Sequence, residues 1–113
     1  MHEISLLENV REILQEHAQN QHFRQITKIT LEIGKLSCVE SDALRFGFDV
    51  VMKNTLAEKA ELILTEVDGM GRCDKCGKQV IMETLYDPCT ACGNPFVTVT
   101  QGSEMKIKDL IVV

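Results

Sequence analysis

Residues 73–93 read CDKCGKQVIMETLYDPCTACG, and this stretch divides the chain. It holds four of the five cysteines as two pairs, Cys73-x-x-Cys76 and Cys89-x-x-Cys92, with twelve residues between them and glycine after each pair at Gly77 and Gly93. The odd cysteine is Cys38. An odd count and a Met-His-Glu opening without a basic-then-apolar leader speak against a secreted disulfide framework. In a reducing compartment, paired C-x-x-C sequences read as a metal site, and the expected localisation is cytoplasmic. Glycine relieves the strain of the tight turn that wraps backbone around the metal, and it lets N–H groups approach the sulfurs. Four thiolates suit a closed tetrahedral Zn²⁺ site with no position left for water, which makes the zinc structural. A redox C-x-x-C and an iron cage are the alternatives.

Outward from this stretch, residues 72–100 offer only Val80, Ile81, Met82, Leu85, Phe96, Val97 and Val99 as core. Zinc binding supplies on the order of 10 kcal/mol of folding energy to such segments. The reading is a zinc-ribbon-like domain of two short hairpins. On its N-terminal side, Leu6, Leu7, Val10, Ile13, Leu14 and Ala18 recur at helical spacing over 4–18. Ile29, Leu31 and Ile33 alternate with Lys28, Thr30 and Glu32, which predicts a half-buried strand over 26–33. Ser41 is the expected N-cap of a second helix to about Asn54 with a stripe of Leu44, Phe48, Val51 and Met52. Further strands are expected at 61–67 and 105–112.

The last strand has no core of its own, so it is expected to return to the first sheet. The predicted fold class is α+β: a small domain of two helices and a three-stranded mixed sheet, with the zinc-ribbon-like domain inserted. The boundaries are 1–68 with 103–113 for the discontinuous domain and 69–102 for the insertion. Asp68-Gly69-Met70-Gly71 and Gln101-Gly102-Ser103 are the expected linkers, as a hinge or as ordinary turns.

The chain has 113 residues and a formal charge of −5, and its 44% apolar and 26% charged residues fit one globular domain with a satellite. No apolar run reaches membrane-spanning length. An acidic balance without tryptophan argues against a nucleic-acid binder. Arg72, Lys75 and Lys78 make a thin basic patch, which keeps a zinc-ribbon adaptor for protein or nucleic acid as the alternative function. There is no nucleophile–base pattern, no phosphate loop and no open zinc site, so an enzyme is not expected.

Met1-His2-Glu3 is the second chemical feature. An α-amine, the amide nitrogen of residue two and its imidazole form fused chelate rings, a square-planar nitrogen field that suits Ni(II) or Cu(II). An exposed histidine is the alternative. His17 reads as a helix-end residue, His22 as part of a polar loop, and Cys38 as a small buried apolar residue.

Met1-His2-Glu3-Ile4-Ser5-Leu6, Leu31-Glu32-Ile33-Gly34, Leu36-Ser37-Cys38-Val39-Glu40, the two C-x-x-C-G pairs and Gln101-Gly102-Ser103-Glu104-Met105 together resemble the HypA/HybF family over essentially the whole chain. The resemblance implies a nickel metallochaperone for maturation of [NiFe]-hydrogenase, and in some members of urease. It implies transient Ni²⁺ cargo at Met1, His2 and Glu3; Glu40 or Asp42 is either a further carboxylate for the ion or a solvated acid at the helix start. Structural Zn²⁺ is implied at Cys73, Cys76, Cys89 and Cys92. The partners implied by the resemblance are the GTPase HypB and the hydrogenase large subunit; composition speaks against nucleic acid and membrane, and a monomer or weak homodimer is expected.

Overall fold

The computed structural model describes residues 2–113, and of His2 the backbone alone. The element order is α1 (His2–Gln21), β1 (Ile26–Gly34), α2 (Ser41–Val51), β2 (Glu61–Val67), β3 (Gly69–Cys73), β4 (Gln79–Met82), β5 (Val97–Gln101) and β6 (Met105–Val112). Two three-stranded sheets result, ordered β2-β1-β6 and β4-β3-β5. The fold is α+β, and the last strand does return to the first sheet.

Leu7, Val10 and Leu14 of α1 are buried, as their spacing requires. The helix runs past the predicted end through the polar Gln19–Gln21 and stops at His22, whose φ of 59° leaves the helical region. His17 therefore sits within the helix, on an exposed position. Helix α2 differs at both ends. Glu40, not Ser41, is the N-cap, and it makes no side-chain cap bond. Its carbonyl already accepts the Leu44 N–H at 3.0 Å, which puts Ser41 inside the first turn. At the other end the helix stops at Val51, three residues before Asn54, and Thr55 Oγ1 donates to the carbonyl of the C-cap Met52 at 2.6 Å. The close approach of α1 and α2 rests on Gly47, where a Cβ would lie 2.9 Å from Ile4 Cδ1 and Leu7 Cδ1.

Strand β1 is central in its sheet. Ile29, Leu31 and Ile33 are buried as the alternation predicts, and Thr30 on the other face is buried too. Gly34 N–H donates to Glu104 and Val113 N–H to Gln25, each at 2.9 Å, so β1 and β6 run in opposite directions. Lys35 N–H donates to Val67 at 2.9 Å, joining the far ends of β1 and β2.

The chain forms two compact units: Met1–Leu31, Val39–Leu64 and Ile107–Val113 make one, Glu32–Cys38 and Thr65–Lys106 the other. In the second unit the core is Leu36, Cys73, Val80, Met82 and Cys89, with Val97 and Val99 packed against it. Ile81, Leu85 and Phe96 are exposed, so only part of the apolar set of residues 72–100 is core, and Leu36 from outside that range completes it. Of the predicted linker 68–71, residues 69–71 are instead the start of β3, the middle strand of this sheet. Its glycines are there for space: a Cβ on Gly71 would lie 2.4 Å from Met82 Sδ and 2.6 Å from Val97 Cγ1. Among the described residues, no helix is long and apolar enough to cross a membrane.

Candidate metal centre

Each C-x-x-C-G sequence builds the same turn. Strand β3 delivers Cys73, whose N–H donates to the Lys78 carbonyl at 3.0 Å, while Gly77 N–H returns to the Cys73 carbonyl at 3.0 Å. In the second copy Cys89 N–H donates to Asn94 at 2.9 Å and Gly93 N–H to Cys89 at 2.8 Å. Gly77 and Gly93 have φ of 73° and 78°, a left-handed conformation that side chains with a Cβ adopt at a cost. Thr98 Oγ1 donates to Asp74 Oδ1 at 2.6 Å and ties the first turn to β5.

The two turns face each other. The four sulfurs of Cys73, Cys76, Cys89 and Cys92 lie within 4.8 Å of one another. Cys73 and Cys92 approach to 3.6 Å, and Cys76 and Cys89 to 3.8 Å. A tetrahedron with Zn–S near ~2.3 Å has edges of about 3.8 Å, so the cage already has the dimensions the ion requires. Cys73 and Cys89 are buried, whereas Cys76 and Cys92 are exposed.

Sulfur charge is prepared for a cation. The Cys76 N–H, 3.4 Å from Cys73 Sγ, is the main reason the Cys73 thiol is held down to about 6. Asn94 Nδ2 approaches the same sulfur at 3.6 Å. The Cys92 N–H lowers the Cys89 thiol in the same way. Cys92 is pushed up to about 11. The Asn94 N–H pulls it down, but the Cys73 sulfur, desolvation and the other two sulfurs outweigh that pull. Four crowded sulfurs hold a proton on Cys92 that a dication would displace. The donor set fits a tetrahedral thiolate metal.

The other predicted site residues fall elsewhere. Met1 and the His2 side chain lie outside the described residues. Glu3 is buried at 8% exposure in the first turn of α1. Glu40 and Asp42 are exposed at the start of α2. Cys38 is exposed, not buried as its residue type suggests; it lies on the irregular segment between β1 and α2, with a φ of 60°. It is outside the four-sulfur group. Asn94 is the residue that sequence reasoning missed; its place directly after the second C-x-x-C-G was the available signal.

A family model described as hydrogenase/urease nickel incorporation, metallochaperone, hypA, matches residues 1–112. The chain is 46% identical over 112 residues to the hydrogenase maturation factor HypA of Psychromonas ingrahamii, covering 99% of this chain and 98% of that one. It is 44% identical over 113 residues to the HypA of Azorhizobium caulinodans, covering all of both. In fold it is similar to the solution structure of the Ni metallochaperone HypA from Helicobacter pylori, with a TM-score of 0.77 at 23% identity over 98% of this chain and 97% of that one. A second HypA solution structure gives a TM-score of 0.69 at 26% identity, covering 100% and 97%.

Proposed function

The chain belongs to the HypA family of nickel-incorporating metallochaperones for hydrogenase maturation, and from that premise we propose that it carries Ni(II) at its own N-terminus and holds structural Zn(II) among Cys73, Cys76, Cys89 and Cys92. The observation that carries the reading is the family match over residues 1–112, a range that includes Met1-His2-Glu3. Nickel is cargo. The α-amine of Met1, the amide nitrogen and imidazole of His2 and a donor from Glu3 form the square-planar field, and Glu40 is the further carboxylate within the proposal. Geometry rather than burial then selects the ion. A site at a chain terminus frays easily, which permits hand-over.

The same reading assigns residues 1–68 and 103–113 to the nickel-binding domain and 69–102 to the zinc-binding domain. It places the protein in the cytoplasm beside the GTPase HypB, delivering nickel to the hydrogenase large subunit, and to urease where that enzyme is the client. Copper(II) binds such donors more strongly than nickel, so the cell's control of copper supports the selectivity.

The donors must lose protons before they ligate. An ordinary imidazole titrates near ~6.5 and an α-amine near ~7.7–8.0, so nickel affinity falls as pH drops through neutrality. The test is calorimetry with protein carrying its native N-terminus, set beside protein with one residue added before Met1 and beside His2→Ala. Loss of nickel affinity in both variants, with the zinc content unchanged, is expected. Unchanged affinity in the extended protein would remove the amine from the site.

A further inference from the structure

The four-cysteine cage is asymmetric, and the asymmetry is paired. Two close sulfur–sulfur approaches each join one exposed cysteine to one buried cysteine: Cys92 to Cys73 at 3.6 Å, and Cys76 to Cys89 at 3.8 Å. Each also joins one turn to the other, across sequence separations of 19 and 13 residues. We propose that these cysteines form a peroxide-sensitive switch that closes as two specific disulfides, Cys73–Cys92 and Cys76–Cys89, expelling the metal while keeping the two turns joined. This rests on the metal-site reading above for the ion that is released, not for the bridges themselves.

The chemistry follows from exposure and distance. Cys92 or Cys76, the exposed residue of each pair, meets a peroxide first. In the zinc-loaded protein, where the ion would have displaced its proton, its sulfur attacks one peroxide oxygen as the thiolate, the O–O bond breaks, hydroxide leaves, and a sulfenic acid remains. The buried partner, already within 4 Å, attacks that sulfur and expels a second hydroxide as the S–S bond forms. Each bridge consumes one peroxide and two thiolates and yields two hydroxides. Two bridges use all four metal-binding sulfurs and leave the ion without ligands.

The pairing decides what oxidation does to the fold. Bridges within each turn, Cys73–Cys76 and Cys89–Cys92, would leave the turns unconnected once the ion is gone. Bridges between turns replace the lost metal cross-link with covalent ones around the same core of Leu36, Val80 and Met82. The oxidised unit stays assembled, and a dithiol reductant returns it to a metal-ready state. Cys38 takes no part, because it stands outside the cage.

Trypsin makes the alternatives distinguishable. Cleavage after Arg72, Lys75, Lys78 and Lys106 puts Cys73 and Cys76 on separate short peptides, while Cys89 and Cys92 share residues 79–106. The full-length zinc-loaded protein is treated with two equivalents of hydrogen peroxide in the presence of a chromogenic zinc chelator, then digested without reduction. The expected product carries both short peptides on 79–106. Fragmentation should place residues 73–75 on Cys92 and 76–78 on Cys89, with one zinc released per protein and reversal by dithiothreitol. Cys38→Ser should give the same map. Residues 73–75 linked to 76–78, the opposite crossed pairing, or sulfinic acids as the main product would overturn the proposal. Protein isolated without zinc that still forms the crossed bridges would defeat the metal reading alone; released zinc with other bridges would defeat this inference alone.

Discussion

Replacing Gly34 with alanine should be among the most damaging small changes in this chain. Gly34 ends β1 where the backbone passes Gly102: an added Cβ would lie 2.0 Å from the Gly102 carbonyl oxygen and 2.2 Å from its carbon. Both obstructing atoms are backbone, so no side chain can swing aside. Restoring a contact of 3.0 Å requires a shift of about 1 Å, and overpacking of this kind costs about 1–3 kcal/mol. The same carbonyl accepts the Leu36 N–H at 2.8 Å, and Gly34 N–H donates to Glu104 at 2.9 Å. A 1 Å shift takes both beyond bonding distance, at about 1 kcal/mol each. Alanine recovers up to ~1 kcal/mol by restricting the unfolded chain. The net loss is about 3 kcal/mol, a large part of the roughly 5–15 kcal/mol that holds a domain of this size together. Urea unfolding followed by circular dichroism should show the midpoint falling by roughly 1.5 M for a slope near ~2 kcal/mol per molar. Hydrogen exchange at the Leu36 amide should accelerate. Gly93→Ala is the control: its φ is 78°, but nothing lies within 4 Å of the added carbon, so it pays the left-handed cost of about 1–2 kcal/mol alone. A Gly34→Ala protein as stable as the Gly93→Ala protein would refute the steric argument.

Cutting Met82 back to alanine empties a fully buried position of the second unit's core and should cost about 2–5 kcal/mol, read from the same urea titration. Cys92→Ser should abolish stoichiometric zinc retention against a chelator; retention of one tightly held zinc would remove Cys92 from the ligand set. The Asp87 carboxyl is held below the usual carboxylate range by the Thr84 hydroxyl, which donates at 2.6 Å, and by the N–H groups of Glu83 and Thr84. Its contribution to the 83–87 turn is therefore complete above about pH 4 and lost as pH falls through its lowered value. NMR titration should show the Glu83 and Thr84 amide shifts following that step in the native protein and losing it in Asp87→Asn. Lys35 titrates in the opposite sense, raised by its 2.9 Å pairing with Asp68. That contact holds until pH climbs through the raised value, and Asp68→Asn should lower the Lys35 midpoint by NMR.

What the amino-acid sequence determined by itself was whatever repeats at short range. The helical spacing of Leu7, Val10 and Leu14, the alternation of Ile29, Leu31 and Ile33, and the doubled C-x-x-C-G turn each express one backbone geometry, so they are legible residue by residue. Those turns also declared which sulfurs would meet, because four thiolates with matching flanking glycines have few other uses. Tertiary structure decided everything that depends on what lies opposite. Asp68-Gly69-Met70-Gly71 looks like a linker until Met82 and Val97 press against Gly71, and residues 69–71 open the central strand. Ile81, Leu85 and Phe96 are as apolar as Val80 but point away from the core that Leu36 completes from thirty-odd residues upstream. Cys38 is exposed on the irregular segment between β1 and α2, which its apolar residue type does not foresee. The sulfur pairing across the cage, one buried partner for each exposed one, is set by how two distant turns dock, and local spacing carries no information about that distance.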